Sequence, residues 1–127
     1  MSYSYRRRRP AYRKAEYRRP KHNVPVNISE YGDRFEARVY ALGFAKEHIS
    51  VTISDDVIYI SGRRQPAEEY PPFILQEYPI KSFERSFELS ERADQKQVSA
   101  KMEDGVLLIT IMKTSAAQKP DVEVEIG

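Results

Sequence analysis

Residues 48–62 read HISVTISDDVIYISG. Ile49, Val51 and Ile53 occupy every second position against Ser50 and Thr52, which puts the three aliphatic side chains on one face of an extended strand. Asp55 and Asp56 supply a tight turn, VIYISG follows as a second strand, and the stretch reads as a β-hairpin. A catalytic or calcium-binding role for the two aspartates would need further ligands converging nearby in the sequence, and none do.

The same period of two recurs on both sides of the hairpin. Upstream, RFEARVYA places Phe35, Ala37, Val39 and Ala41 on one face with Glu36 and Arg38 opposite. Before it, VPVNIS alternates Val24, Val26 and Ile28 with Pro25, Asn27 and Ser29, and Pro25 predicts an edge strand because proline cannot donate to a central ladder. Downstream, SFERSFEL sets Phe83, Arg85, Phe87 and Leu89 against Glu84, Ser86 and Glu88. QVSAKM and GVLLITIMK follow, the second apolar on both faces and expected to be covered on both. Between these halves runs a long connection, QPAEEYPPFILQEYP (65–79), with a short strand expected around FILQEY. After residue 24 no segment sustains apolar residues at i, i+3, i+4 and i+7 over three turns, so helices should be short or absent. Seven or eight short strands separated by turn signals predict an all-β antiparallel sandwich.

Composition bounds the rest. The 127 residues are 40% hydrophobic, enough for one domain with a modest core and tails. There is no cysteine, which excludes disulfides, thiol catalysis and zinc–thiolate sites. No apolar run approaches the ~18–20 residues that cross a bilayer, and the early arginines are not followed by the apolar stretch of a signal peptide, so the chain reads as cytoplasmic. Residues 1–21 carry nine Lys/Arg against Glu16, a net +8, whereas the remainder, with twelve basic and eighteen acidic residues, is −6. Residues 1–23 contain no Leu, Ile, Val or Phe and are expected to be disordered alone. The chain therefore divides into a basic arm (1–23), a sandwich domain (24–113) and a linker with tail (114–127).

Two features demand partners. The tail spaces Val122, Val124 and Ile126 by two around Glu123 and Glu125. That apolar face belongs either to the last strand of its own domain or to a sheet elsewhere. Arg85 shares a face with Phe83 and Phe87, and a buried guanidinium must be paired. Catalysis finds no support: His22 and His48, the only histidines, sit in no nucleophile or metal-ligand motif, and there is no glycine-rich phosphate loop. No catalytic residue, metal or cofactor is expected. In the arm, Arg6 to Arg9 with Tyr3, Tyr5, Tyr12 and Tyr17 match the chemistry of nucleic-acid binding, but the acidic body would repel that ligand, which disfavours nucleic acid as the main partner. The arm has two other uses: salt-sensitive docking on a neighbour's acids, such as Glu68 or Glu69, or simple solvation.

The stretch AKMEDGVLLITIMK resembles the Ala-x-x-x-(Asn/Asp)-Gly-Val-Leu signature of small heat shock proteins of the Hsp20, or α-crystallin, family. ALGFAKEHISVTISDDVIYISGRR is similar to that family's Pro-Gly-Phe-x-x-x-x-Ile-x-Val segment, and SFERSFELSE to its Phe-x-Arg-x-Phe-x-Leu-Pro stretch. The resemblance covers residues 24–126. It departs at Leu42, Ser90 and Met112, where proline is usual, and in an arm rich in Arg and Tyr instead of Phe and Leu. It implies an immunoglobulin-like sandwich, the α-crystallin domain, that dimerises, assembles into oligomers and holds unfolding client proteins without ATP under stress. By the same resemblance, Val122, Val124 and Ile126 form a tail motif that packs on a neighbour. The groove receiving tail or client would be built from Ile49, Val51, Ile53, Val98 and Ala100. Arg85 would be structural, near a dimer interface. The long connection would lend a strand to the partner, placing Phe73, Leu75 and Tyr78 at that interface. The alternative is a surface loop with Tyr70, Phe73 and Tyr78 folded onto its own domain. A p23-like monomeric adaptor shares the sandwich but typically lacks the tail motif and the Gly-Val-Leu signature.

Overall fold

The computed structural model describes residues 23–65, 69–118 and 124–127. Among them are seven strands: β1 (Val26–Glu30), β2 (Arg34–Tyr40), β3 (Ile49–Ser54), β4 (Val57–Gly62), β5 (Phe83–Glu88), β6 (Ala93–Glu103) and β7 (Val106–Lys113). One turn of 3-10 helix, Lys46–His48, precedes β3. All pairings are antiparallel. They make a four-stranded sheet in the order β1-β2-β7-β6 and a three-stranded sheet in the order β3-β4-β5. The fold is the expected all-β sandwich.

Alternation sets what each sheet buries. In the larger sheet, Val39 lies opposite Leu107, Ala37 opposite Ile109 and Phe35 opposite Ile111, so one face presents aligned aliphatic rows. In the smaller sheet, Ile58 and Ile60 of β4 lie opposite Ile53 and Val51. Stacking these faces removes Val39, Ile60 and Ile109 from water completely, and the Phe44 and Phe83 rings meet edge to face at 5.0 Å. Each such aliphatic side chain contributes roughly 1.5–3 kcal/mol through burial.

The turns follow the same logic. Asp55 and Asp56 both take positive φ, 52° and 64°, the mirror-image turn whose twist matches a two-residue hairpin. The strain of two non-glycine residues there is offset locally. The Asp56 carbonyl accepts from the Leu89 amide at 2.8 Å, and its carboxylate accepts from Gln95 Nε2 at 2.6 Å. Asp104 and Gly105 repeat the conformation between β6 and β7.

Three expectations need correction. Phe73 to Tyr78 form no strand, because they have no ladder partner among the described residues. β7 is covered on one face only: Leu107, Ile109 and Ile111 are buried, whereas Val106, Leu108 and Met112 on the outer face are half-exposed. Ile28 is 53% exposed although Val24, on the same alternation, is buried. Among the described residues β1 is an edge strand, as Pro25 predicts, and no further strand flanks Ile28.

Charge is also placed with care. Glu36 faces outward from β2 yet is nearly buried, receiving Arg34 Nε at 2.9 Å and Arg38 Nη1 at 3.0 Å. Glu30 Oε2 accepts from Lys113 Nζ at 2.9 Å and from Arg92 Nη2 at 2.6 Å. The hydrogen bond from Lys113, with help from Arg92, holds the Glu30 carboxyl below the usual carboxylate range. Arg34, with help from Arg38, does the same for Glu36. A depressed carboxylate contributes stability that is present above its unfolded-state pKa and is lost as pH falls through the folded-state value. The melting temperature is therefore expected to hold from neutral pH to about 5 and to drop below that. Glu36→Gln should lower it at pH 7 and flatten the acid limb, as followed by circular dichroism; an unchanged limb would contradict the assignment.

Candidate functional site

Two open sheets leave four strand edges: β1 and β6 in the larger sheet, β3 and β5 in the smaller. Contacts between the sheets assign them to flanks. Gln95 of β6 reaches Asp56 in the β3–β4 turn, and with β1 beside β5 the strand orders leave β6 and β3 on one flank. Asn23 and Val24, leading into β1, bond Glu84 and Arg85 of β5, so β1 and β5 share the other.

On the first flank Ile49, Val51 and Ile53 are half-buried between the exposed Ser50, Thr52 and Ser54, and all three pack against the core. Val98 and Met102 of β6 do the same, with the exposed Ala100 between them. Among the described residues β3 and β6 are thus edge strands that each turn half-buried aliphatic side chains onto the core. Such an edge suits strand addition, in which backbone groups pair with an added strand and alternate side chains find apolar cover. One end is guarded. Between Ala93 and Val98 the β6–β7 register breaks. In that bulge the Asp94 carboxylate accepts from the Lys96 amide and from Gln97 Nε2. A charged bulge of this kind prevents indiscriminate edge pairing.

The second flank carries Arg85, 7% exposed. Its Nη1 donates to the Val24 carbonyl at 2.6 Å, and the guanidinium lies 5.2 Å from the Phe87 ring centre. Behind the β1 edge an apolar cavity of about 170 Å³ opens between the sheets, lined by Ile28, Phe35, Ala37, Ile58, Phe87 and Leu89 among others. In the long connection Phe73 and Tyr70 are about half-exposed, Leu75 is mostly exposed and Ile74 is wholly in solvent. Tyr78 instead packs on the core and donates its hydroxyl to the Leu42 carbonyl at 2.9 Å. The same oxygen accepts from Arg64 Nη2 at 3.0 Å, and the Arg64 guanidinium stacks on Phe44 at 4.2 Å. Both ends of the connection are thereby pinned to one turn of the body, with the Phe73–Leu75 tip held outward.

In the tail, Val124 and Ile126 are 79% and 94% exposed, and residues 124–127 join no strand among the described residues. Val122 lies outside the described residues, as do His22, the arm residues Tyr3, Tyr5, Arg6 to Arg9, Tyr12 and Tyr17, and Glu68. Glu69 is exposed. His48 ends the 3-10 turn, exposed. Among the described residues no group of three or more His, Cys, Asp or Glu is arranged to hold a metal, and no helix is long and apolar enough to cross a membrane.

Sequence reasoning missed Met102, which packs against the core from β6, although its spacing of two and four from Ala100 and Val98 was the available signal. It also missed Lys113, 6% exposed. The same alternation from Ile109 and Ile111 puts that amine on the core face.

The sequence model of the Hsp20/alpha crystallin family matches residues 27–127. The chain is 35% identical over 93 residues to the 17.3 kDa class II heat shock protein of Solanum peruvianum, covering 71% of this chain and 60% of that protein. It is also 35% identical over 100 residues to the 17.8 kDa class I heat shock protein of Arabidopsis thaliana, covering 76% and 64% respectively. The chain thus spans less than two-thirds of the length of either relative. Among solved structures it resembles a small heat-shock protein from Xylella fastidiosa, with a TM-score of 0.68 and 25% identity over 85% of this chain and 99% of that one.

Arg85 offers a direct check on the second flank. Arg85→Gly removes a charge-assisted hydrogen bond and leaves a void beside Phe87. The expected loss is roughly 2–4 kcal/mol of stability in urea unfolding, and a midpoint unchanged from the parent would rule out the pairing.

Proposed function

The chain belongs to the Hsp20/alpha crystallin family, and from that premise we propose that it is an ATP-independent chaperone of the stress response, a cytoplasmic holdase and not an enzyme. It binds partly unfolded proteins and keeps them from aggregating, as an exchangeable homo-oligomer built from dimers. The observation that carries this reading is a complementarity within one chain. Ile49, Val51, Ile53, Val98 and Met102 lie half-buried on two strands that are sheet edges among the described residues, and Val124 and Ile126 are exposed in a segment that joins no strand there.

The tail, Val122, Val124 and Ile126, adds as a strand to a neighbour's groove, lined by Ile49, Val51, Ile53, Val98 and Ala100. Two aliphatic anchors supply about 3–6 kcal/mol gross, and ordering the tail takes back several kcal/mol. Each contact is therefore weak and exchangeable, while many in one closed assembly hold through effective concentration. A linker of eight residues, Thr114 to Asp121, reaches at most ~26–29 Å when extended, enough to cross to a neighbour. Vacated grooves then take extended apolar segments of clients by the same chemistry.

Dimers form by strand exchange on the other flank. The outward Phe73–Leu75 tip pairs with the free β1 edge of a second copy, beside Ile28 and the apolar cavity behind it. Tyr78 anchors the base of the donated segment, and Arg85 keeps the receiving edge in place through Val24. Exposure of Phe73, Ile74, Leu75 and Ile28 in a single chain supports this, since apolar patches of that kind mark interaction surfaces.

Two measurements test the proposal. A thermolabile enzyme heated with the protein, without nucleotide, is expected to stay clear in light scattering at about one subunit per client. Full turbidity would end the chaperone reading, and a native mass of one chain would end the oligomeric one. A chain ending at Asp121 is expected to shrink from the full-length mass to dimers or small oligomers in multi-angle light scattering. Retention of the full mass would show that the tail carries no assembly contact.

A further inference from the structure

At one end of the larger sheet, charges from three separate parts of the chain converge on one oxygen. Glu30 closes β1 and lies opposite Phe35 of β2. Its Oε2 accepts from Lys113 Nζ, the last residue of β7, and from Arg92 Nη2, just before β6. The Phe35 ring sits beside both cations, 5.2 Å from Lys113 Nζ and 5.7 Å from the Arg92 guanidinium. The Lys113 side chain is only 5% exposed, whereas that of Glu30 is 46% exposed on an edge strand. The buried member of the pair thus depends on an accessible one.

The same residues hold the start of the linker. The Thr114 amide donates to the Arg92 carbonyl at 2.8 Å, and Gln118 Nε2 donates to the Lys113 carbonyl at 2.6 Å. The Ala117 and Gln118 amides close back on the Thr114 carbonyl, giving a compact turn over 114–118. The Lys113 amide is fixed to the Asp33 carbonyl in the β1–β2 loop. Main-chain and side-chain bonds of Lys113 and Arg92 therefore run from the β1 edge to the point where the tail leaves the body.

We propose that Glu30, Arg92 and Lys113 form a charge clasp that couples the β1 edge to the tail exit, so that disturbing the carboxylate of Glu30 loosens both together. An ammonium as buried as Lys113 is costly without its counter-charge. On losing Glu30 it moves toward water, drawing its own carbonyl away from Gln118, while Arg92, freed from the same oxygen, slackens its carbonyl under Thr114. The biological consequence rests on the proposed assembly: a strand arriving at β1 passes directly over Glu30, and the clasp would report its arrival to the tail. The coupling itself is a property of the single chain.

The test is amide hydrogen exchange on the full chain, comparing the parent with Glu30→Gln. Segments Val26–Tyr31 and Thr114–Gln118 are expected to exchange at least roughly tenfold faster together, while β4 in the core stays within about twofold of the parent. The double variant Glu30→Met with Lys113→Met, which removes the buried charge along with its partner, is expected to bring both segments back to within about threefold. Acceleration of β1 without 114–118, equal acceleration of all strands including β4, or no change at all would each overturn the clasp. Failure of the double variant to restore either segment would overturn it too. Native mass of the same samples separates the two ideas: joint loosening with unaltered mass keeps the clasp and refutes its role in assembly.

Discussion

Two sheets of short strands can bury their aliphatic faces only against each other, and every other feature of this protein follows from that stacking. Val39, Ile60 and Ile109 lie where the faces meet and have no exposed surface. Stacking leaves the sheets open at their sides, since neither is wide enough to curl and close. Among the described residues four strand edges are therefore left without a neighbouring strand, and a chain in water must guard such edges or use them.

This chain does both. β6 is guarded where its register breaks, with Asp94 bonding the bulge internally and Gln95 bound across to Asp56. Past the bulge Val98 and Met102 pack against the same core as Ile49, Val51 and Ile53 of β3. On the opposite flank Arg85 spans from β5 to the Val24 carbonyl and holds the entry to β1 against the smaller sheet. The guanidinium suits this position because its delocalised charge tolerates an aromatic neighbour, here Phe87, while its N–H groups reach a carbonyl. Guarded and open edges within one domain permit selective strand addition, which is the chemistry that the chaperone proposal requires.

The ion pairs divide by what they hold. Arg34, Glu36 and Arg38 lie along one strand and stiffen the outer face of β2. Glu30, Arg92 and Lys113 come from residues 83 apart at most and join the beginning of the domain to its end. In the first sort the two arginines remain partly exposed and only the Glu36 carboxylate is covered. In the second, removing one partner strands a buried amine, so its energetic weight exceeds what surface ion pairs usually carry.

Local pattern alone determined a good deal. Alternation identified the strands around Val39, Ile53, Ile60, Phe87 and Ile109, the turn at Asp55–Asp56, the edge character of β1 and the core-facing position of Arg85. Each of these depends on chirality, turn sterics and a period of two, which act over a few residues and are written in consecutive letters. Tertiary structure alone decided which edges share a flank, that Met102 packs against the core from β6, that Glu30 meets Lys113 and Arg92, and that Tyr78 and Arg64 bond the same carbonyl. It also decided that Phe73 to Tyr78 make no strand within the single chain, although their composition favours one. The physical reason is common to all of these: a ladder bond, an ion pair or a covered side chain needs a second group, and where that group lies depends on how distant segments stack, which no local period encodes.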